Sequence, residues 1–145
     1  MPLIIRSASA ADQPAIKAIV RAARLIPVSL DWPRFLIAQW GQDIIGVGQV
    51  KPHKDGTREL ASIAVVPEWQ GQGIGSLIIR ALLAREPATL HLTCLPQNET
   101  YYLRFGFRRI PHAEMTPYFR RLMHVARAVA SLTSTMPIIV MRREA

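Results

Sequence analysis

A chain of 145 residues is long enough for one domain and short for two, so we expect a single domain over residues 1–145. Half of the residues are hydrophobic and 19% are charged, which is too apolar for a disordered protein. No apolar run approaches the ~20 residues of a membrane span, and the first residues lack the pattern of a signal peptide. The net charge of +8 favours an anionic partner such as nucleic acid, a membrane surface or a polyphosphate cofactor, but an Arg-rich solvated surface explains it equally well.

The first half of the chain predicts a strand, a helix and three further strands. The apolar run Leu3–Arg6 reads as the first strand, and helical spacing behind it predicts an amphipathic helix that carries Ile16, Ile19, Val20 and Ala23. The segments Phe35–Trp40 and Ile44–Val50 flank a Gly-Gln-Asp turn, which predicts a hairpin. Arg58–Val66 is apolar at both parities, so it is expected to be a central strand buried on both faces.

The second half alternates helices with strands. Ile74–Leu82 has strong helical periodicity, and Thr89–Leu95 reads as a buried strand. A short helix and a strand are expected between Pro96 and Ile110, then a helix over about 116–132 and a last strand at Ile138–Met141. The predicted order is β-α-β-β-β-α-β-α-β-α-β, which indicates an α/β domain with a mixed sheet.

A glycine-rich turn, Gln70–Gly75, separates the central strand from the strongest helix. Glycines there allow positive φ angles, and free amides at a helix start favour an anion, a phosphate above all. A P-loop is disfavoured because no Lys precedes Ser76, and a dinucleotide fingerprint requires a glycine where Ser76 stands. The alternative is a plain tight turn, which does not need three alternate glycines.

The turn resembles motif A of the GNAT family of N-acetyltransferases, whose core reads Gln/Arg-x-x-Gly-x-Gly/Ala; here Gln70, Gly73 and Gly75 fill it. The later Tyr-x-x-x-Gly-Phe segment that begins at Tyr102 resembles the family's motif B. Ile5-Arg6 and Asp12 also match its usual opening strand and helix, so the resemblance covers nearly the whole chain in order. It implies a GNAT fold: a mixed, mostly antiparallel sheet with helices on both faces and central parallel strands that splay apart.

The resemblance further implies acetyl-CoA as co-substrate, and no metal. In this family the turn amides hold the pyrophosphate and the preceding strand edge pairs with the pantetheine arm. Carried over, the cofactor-binding residues are Ile63, Ala64, Val65, Gln70, Gly71, Gln72, Gly73, Ile74, Gly75 and Ser76. The basic surplus then matches the negative charges of CoA. Arg80 and Arg104 could meet its phosphates, but solvated helix faces explain them more readily.

Two candidate catalytic residues follow from the resemblance. Tyr102 stands where the family places a general acid, and a phenol can protonate a departing thiolate; the alternative is a packing tyrosine. Glu59 lies eleven residues before Gln70, the spacing at which histone-type members place a general base that acts through water. It can equally be a strand-end acid, solvated or paired with Arg58 or Lys54, with water as the proton path. A backbone amide near Val65 is the family's usual oxyanion donor.

Some features depart from the family or stay outside its pattern. Leu95 stands where many members have a cofactor-binding Asn. Cys94, the one cysteine, is expected to be an inert packing residue in a reducing compartment. The four histidines lack metal-binding spacing, and a surface pair explains His112 and Glu114 better than an acceptor site. About 25 residues, roughly 111–135, replace the usual short hairpin between the last two strands; we expect their helix to roof the acceptor site or form a dimer contact.

The leading hypothesis is an N-acetyltransferase that moves the acetyl group of acetyl-CoA to a primary amine by direct attack in a ternary complex. The alternative is a non-catalytic acyl-CoA-binding regulatory domain of the same fold. A nucleic-acid-binding module leaves the glycine turn unexplained and lacks an interleaved basic-aromatic strand. Small amines, amino acid or peptide N-termini and protein lysines all stay open as acceptors. We expect a cytoplasmic monomer or homodimer with no nucleic-acid or membrane partner.

Overall fold

The computed structural model describes residues 2–133 and 137–145. Within them the strands β1–β7 are Leu3–Ser7, Phe35–Trp40, Asp43–Pro52, Arg58–Val65, Leu90–Cys94, Arg108–Arg109 and Ile139–Arg143. The helices α1–α4 are Gln13–Ala22, Ile74–Arg85, Glu99–Leu103 and Pro117–Thr133. The predicted order of strands and helices is confirmed, as is the α/β class with a seven-stranded mixed sheet. No helix of these residues is long and apolar enough to cross a bilayer.

The chain divides into two compact units. The first contains Met1–Lys51 and Leu60–Pro87, and the second contains Pro52–Glu59 and Ala88–Ala145. Strand β4 contributes its first two residues to the second unit and the remainder to the first.

The first unit holds the strands in the order β1-β2-β3-β4. Helix α1 buries Ile16 and Val20 against a core formed by Phe35, Ile37, Val47 and Ala64. Helix α2 lies close to β3 because Gly48 has no side chain: a Cβ there would come within 2.6 Å of Ile63 Cδ1 and 2.7 Å of Ile78 Cγ2. A side chain at this position would therefore displace the helix that begins at the glycine turn.

The second unit holds β4-β5-β7-β6. Strands β4 and β5 are parallel, with Glu59 paired to His91, which provides the central parallel pair that the resemblance implied. Strand β7 is antiparallel to both β5 and β6. The strand predicted over Gly106–Ile110 is shorter than expected: β6 is Arg108–Arg109, because Gly106 turns the chain at φ +90° and Pro111 has no amide hydrogen to donate.

Helix α4 confirms the helix predicted from residue 116 onward. Its first half packs Phe119 and Met123 against Ile110, Met115 and Val140. Val129, further along the helix, is 46% exposed. Ten residues rotate a helix by about 1000°, so Val129 points some 80° away from Phe119. Thr135, where the predicted insertion ends, lies outside the described residues.

Candidate active site

The glycine turn gets its shape from backbone angles that only glycine adopts easily. A short 3-10 turn, Pro67–Trp69, follows β4, after which Gly71 and Gly73 adopt φ of +79° and +82°. Gln70 closes the turn because its Nε2 donates to the Val65 carbonyl at 2.9 Å. A Cβ at Gly71 or Gly73 would meet nothing within 4 Å, so these glycines are required for conformation and leave open space beside the backbone.

The predicted cofactor residues of the turn lie at the start of α2. The residues from Gln70 to Gly73 are exposed, and Gly73 is the N-cap of the helix. The side chain of Ile74 is buried, so only its backbone is available to a ligand. Gly75 and Ser76 lie in the first helical turn, where the amide dipoles concentrate partial positive charge. This geometry suits a pyrophosphate.

Strand β4 has an irregularity that its sequence does not reveal. Ser62 adopts φ +59°, a left-handed angle that a serine within a strand rarely takes, directly before the predicted pantetheine residues Ile63, Ala64 and Val65. The fully buried Gln49 holds it, with Nε2 donating to Ser62 Oγ at 2.9 Å. Beyond this point the Val66 amide donates to the Ile45 carbonyl of β3 at 2.9 Å. Since amides alternate along a strand, the Val65 amide is directed away from β3.

Glu59, the predicted general base, is buried in the second unit and is hydrogen-bonded to a histidine. Its Oε1 lies 2.8 Å from Nε2 of His53, and the two side chains are only 9% and 15% exposed. A solvated strand-end acid does not fit this burial. Sequence reasoning missed His53, although the hairpin register offered a signal. His53 and Thr57 are bonded across the turn, which makes Glu59 a diagonal neighbour of His53.

Tyr102, the predicted general acid, lies on α3 in the second unit. Its ring makes edge contacts with Tyr101 at 5.1 Å and Phe107 at 6.3 Å between centroids. Burial, together with the neighbouring Cys94 and Tyr101, raises the pKa of the Tyr102 phenol to about 12. The phenol therefore stays protonated at neutral pH, as an acid must before it donates. Arg104 lies over the Tyr101 ring at 4.6 Å, which supports a packing role for that arginine.

The remaining candidates have structural partners. Burial raises the pKa of the Cys94 thiol, which keeps it protonated and unreactive, and its Sγ lies 3.8 Å from Met141 Sδ. Glu114 pairs with Arg142 at 2.7 Å and Arg108 at 3.2 Å, whereas the sequence had paired it with His112. Among residues 2–133 and 137–145, no group of three His, Cys, Asp or Glu side chains could hold a metal ion.

Comparison with known proteins identifies the family. The family model described as "Acetyltransferase (GNAT) domain" matches residues 31–109, more than half of the chain. The chain therefore belongs to the GNAT acetyltransferase family, as its two motifs indicated. No protein of curated function matches the sequence.

Solved structures share the fold over almost the whole chain. N-acetylglutamate synthase from Neisseria gonorrhoeae, complexed with coenzyme A and N-acetyl-glutamate, superposes with a TM-score of 0.77 at 18% identity. The match covers 99% of this chain and 35% of that one, so the present chain spans about a third of the synthase. Rv2747 from Mycobacterium tuberculosis, in complex with CoA, gives 0.73 at 20% identity, with 98% and 99% covered. The ribosomal-protein-S18-alanine N-acetyltransferase from Escherichia coli gives 0.67 at 21%, with 98% and 93% covered.

Proposed function

We propose that this protein is an acetyl-CoA-dependent N-acetyltransferase that acts on a primary amine by direct attack in a ternary complex. The observation that carries the proposal is the glycine turn: two left-handed glycines open the backbone at the start of α2, where a pyrophosphate would accept hydrogen bonds from the amides. Two of the similar structures described above contain CoA, which supports acetyl-CoA as the co-substrate.

Each proposed group has one role in the reaction. The amine attacks the thioester carbonyl, and the resulting oxyanion accepts a hydrogen bond from the Val65 amide. Glu59 belongs to the basic group that receives the proton that the amine loses. Tyr102 donates its proton to the departing thiolate. Burial raises the pKa of the Tyr102 phenol, and it raises the pKa of a buried thiol in the same way. The phenol therefore remains a suitable proton donor.

The similar proteins suggest two kinds of acceptor amine. Among the similar proteins, one carries N-acetyl-glutamate and another is named for a ribosomal-protein alanine, so both an amino acid and a protein N-terminus are reasonable acceptors. We propose that the acceptor is one of these or another small or peptide amine. Cytoplasmic location remains part of the proposal.

A screen of amines with acetyl-CoA, read by release of free thiol, tests the function. The panel contains amino acids, a polyamine and a peptide N-terminus, with the Gly73→Ala variant as a control for the turn. We expect amine-dependent thiol release by the wild type and a large loss in the variant. Stoichiometric acetyl-CoA binding without release for any amine would instead support a regulatory acyl-CoA-binding domain.

A further inference from the structure

The carboxylate of Glu59 is hydrogen-bonded to a histidine in the structure. Its Oε1 contacts His53 Nε2 at 2.8 Å, and Glu59 is the more buried of the two side chains. A histidine therefore contacts the carboxylate that the family resemblance makes a general base acting through water. This matters because a proton that reaches the pair can be accepted by the imidazole as well as by the carboxylate.

Hydrogen-bond chemistry fixes which nitrogen of His53 is free to act. An ionised carboxylate can only accept hydrogen bonds, so Nε2 of His53 carries the hydrogen of this contact. In the neutral imidazole Nδ1 is then the acceptor, and a proton taken there creates an imidazolium that the Glu59 charge stabilises. The pair thus has the arrangement in which a carboxylate orients a histidine and stabilises its charged form.

The first turn of α4 holds the imidazole in place. Tyr118 stacks on the ring with centroids 3.6 Å apart and an angle of 17°, and Phe119 meets it edge-on at 6.5 Å. The helix start is fastened to the β3–β4 turn by two hydrogen bonds, from the Tyr118 amide to Asp55 Oδ2 at 2.9 Å and from Thr57 Oγ1 to Thr116 Oγ1 at 2.8 Å. A fixed ring orientation is what a proton acceptor requires.

Besides the neighbouring Lys54, the cluster contains the titratable groups Asp55, Tyr118 and, on the other side of the Phe119 ring contacts, His91. Asp55 is ionised at neutral pH, since hydrogen bonds from Thr57 lower its pKa to about 2, and its charge favours an imidazolium. Burial raises the pKa of Tyr118, so it stays neutral. His91, paired with Glu59 across β4 and β5, stacks on Phe119, and its burial lowers its pKa and keeps it uncharged. The cluster therefore combines the His53 ring with two carboxylates, those of Glu59 and Asp55.

We infer that His53 takes the proton from the acceptor amine and that Glu59 positions His53 and stabilises its imidazolium. This rests on the proposed acetyltransferase function. The ammonium form of the acceptor loses one proton to Nδ1, and the free amine attacks the thioester carbonyl, which forms the N–C bond and an oxyanion. As the oxyanion collapses, the C–S bond breaks and the thiolate takes the proton of Tyr102. The second proton of the attacking nitrogen passes through solvent to the Tyr102 phenolate, and His53 returns its own proton to solvent. His53 is then a catalytic residue and Glu59 its positioning residue.

Rate profiles against pH for His53→Gln test the inference. Glutamine can still donate to Glu59 but cannot accept a proton, and the matched control is His124→Gln, at an exposed position on α4. The acceptors are two alkylamines of the same skeleton, one carrying fluorine atoms that lower the pKa of its amine below the assay pH. Glu59→Gln is measured in parallel.

We expect kcat/KM of His53→Gln for the ordinary amine to fall by about 10²–10⁴ and the acidic limb of its profile to change, whereas acetyl-CoA affinity is unchanged. The fluorinated amine, already neutral, should lose far less, and His124→Gln should match the wild type. Glu59→Gln should shift the acidic limb, because His53 has lost its partner carboxylate.

A fully active His53→Gln with a wild-type pH profile, alongside an inactive Glu59→Gln, would overturn the role of His53 and leave Glu59 acting through water. Equal losses for both amines would make His53 merely structural and also overturn it. Wild-type protein that transfers acetyl to no amine would overturn the proposed function itself, a distinct result. If His53→Gln does not fold, nitrogen NMR of wild-type histidines decides: a neutral His53 with its hydrogen on Nδ1 contradicts the inference.

Discussion

The glycine turn of the first unit is made of backbone, whereas the cluster around Glu59 in the second unit is made of buried side chains. At Gly71 and Gly73 the added Cβ would meet open space, and the requirement is only a left-handed φ. At His53 and Glu59 the backbone is ordinary, and the requirement is a set of packed rings and a hydrogen bond of 2.8 Å. We expect the backbone of the glycine turn to bind the cofactor and the side-chain cluster around Glu59 to determine the chemistry. The two regions should therefore respond differently to mutation.

The largest expected effect is on the rate. Tyr102→Phe removes the hydroxyl that we propose as the donor to the leaving thiolate, so kcat should fall by about 10²–10⁴ while acetyl-CoA affinity stays near the wild-type value. Tyr101→Phe, its neighbour on α3, is the control and should keep full activity. Initial rates of thiol release and calorimetric binding of acetyl-CoA measure the two quantities separately. A full-rate Tyr102→Phe enzyme would make Tyr102 a packing residue, with water as the acid.

The next effect is on binding. Gly73→Ala places a side chain at φ +82°, and Gly56→Ala does so at φ +88° in the β3–β4 turn; a Cβ meets nothing within 4 Å at either site. The strain is therefore similar, and both variants should lose about 1–2 kcal/mol of stability. Only Gly73→Ala should weaken acetyl-CoA binding, by about tenfold or more, which corresponds to about 1.4 kcal/mol. Equal affinities in the two variants would show that the turn does not hold the cofactor.

The regular elements followed from the sequence because their signals are local. Glycine positions, proline stops and helical spacing lie within a few residues of the structure that they determine, and they gave the turn, α2 and the strand order. Ser62 could not be predicted, because its left-handed angle depends on a hydrogen bond from the distant Gln49. The His53–Glu59 pair was missed for a similar reason: the stacking ring that holds it comes from α4, more than fifty residues along the chain.

Two aspartates, Asp12 and Asp55, allow an effect on stability to be distinguished from an effect on the rate. Asp12, buried and bonded to Arg6 at 2.8 Å, has its pKa lowered from 3.8 to about 2, mainly by the Arg6 hydrogen bond. A carboxylate with a lowered pKa stabilises the fold above its ordinary pKa and loses that contribution as the pH falls from about 4 to about 2. Asp12→Asn should therefore cost about 2 kcal/mol at pH 7, a difference that disappears near pH 2, and should leave kcat unchanged.

Asp55 has an equally low pKa, but it is exposed and fastens the start of α4. Asp55→Asn should lower kcat/KM through the loosened Tyr118 ring while the denaturant midpoint changes little. Denaturant titrations at pH 7 and pH 2.5, combined with rates, compare the two variants. A rate loss in Asp12→Asn that matched that of Asp55→Asn would mean that this comparison does not separate scaffold from chemistry.

The smallest expected effect concerns acceptor choice. Arg120, Arg121 and Arg127 are exposed on α4. If they lie at the acceptor entrance, an amine that bears a carboxylate is favoured over a polyamine. Arg120→Glu/Arg121→Glu should then shift the ratio of the two kcat/KM values by about fivefold, as expected for roughly 1 kcal/mol of Coulomb energy in water. An unchanged ratio in the folded variant would leave α4 as support for His53 alone or as an interface.

The central claim, that binding and chemistry use separate parts of one acetyltransferase, is tested most directly by calorimetric titration of acetyl-CoA. The titration is made into the wild type and into the His53→Gln/Tyr102→Phe double variant, whose thiol release is also measured. We predict one saturable site per chain with the same Kd in both proteins, and a double variant that binds acetyl-CoA without transferring its acetyl group. Absence of saturable binding to the wild type, or a double variant that turns over at the wild-type rate, would contradict the account.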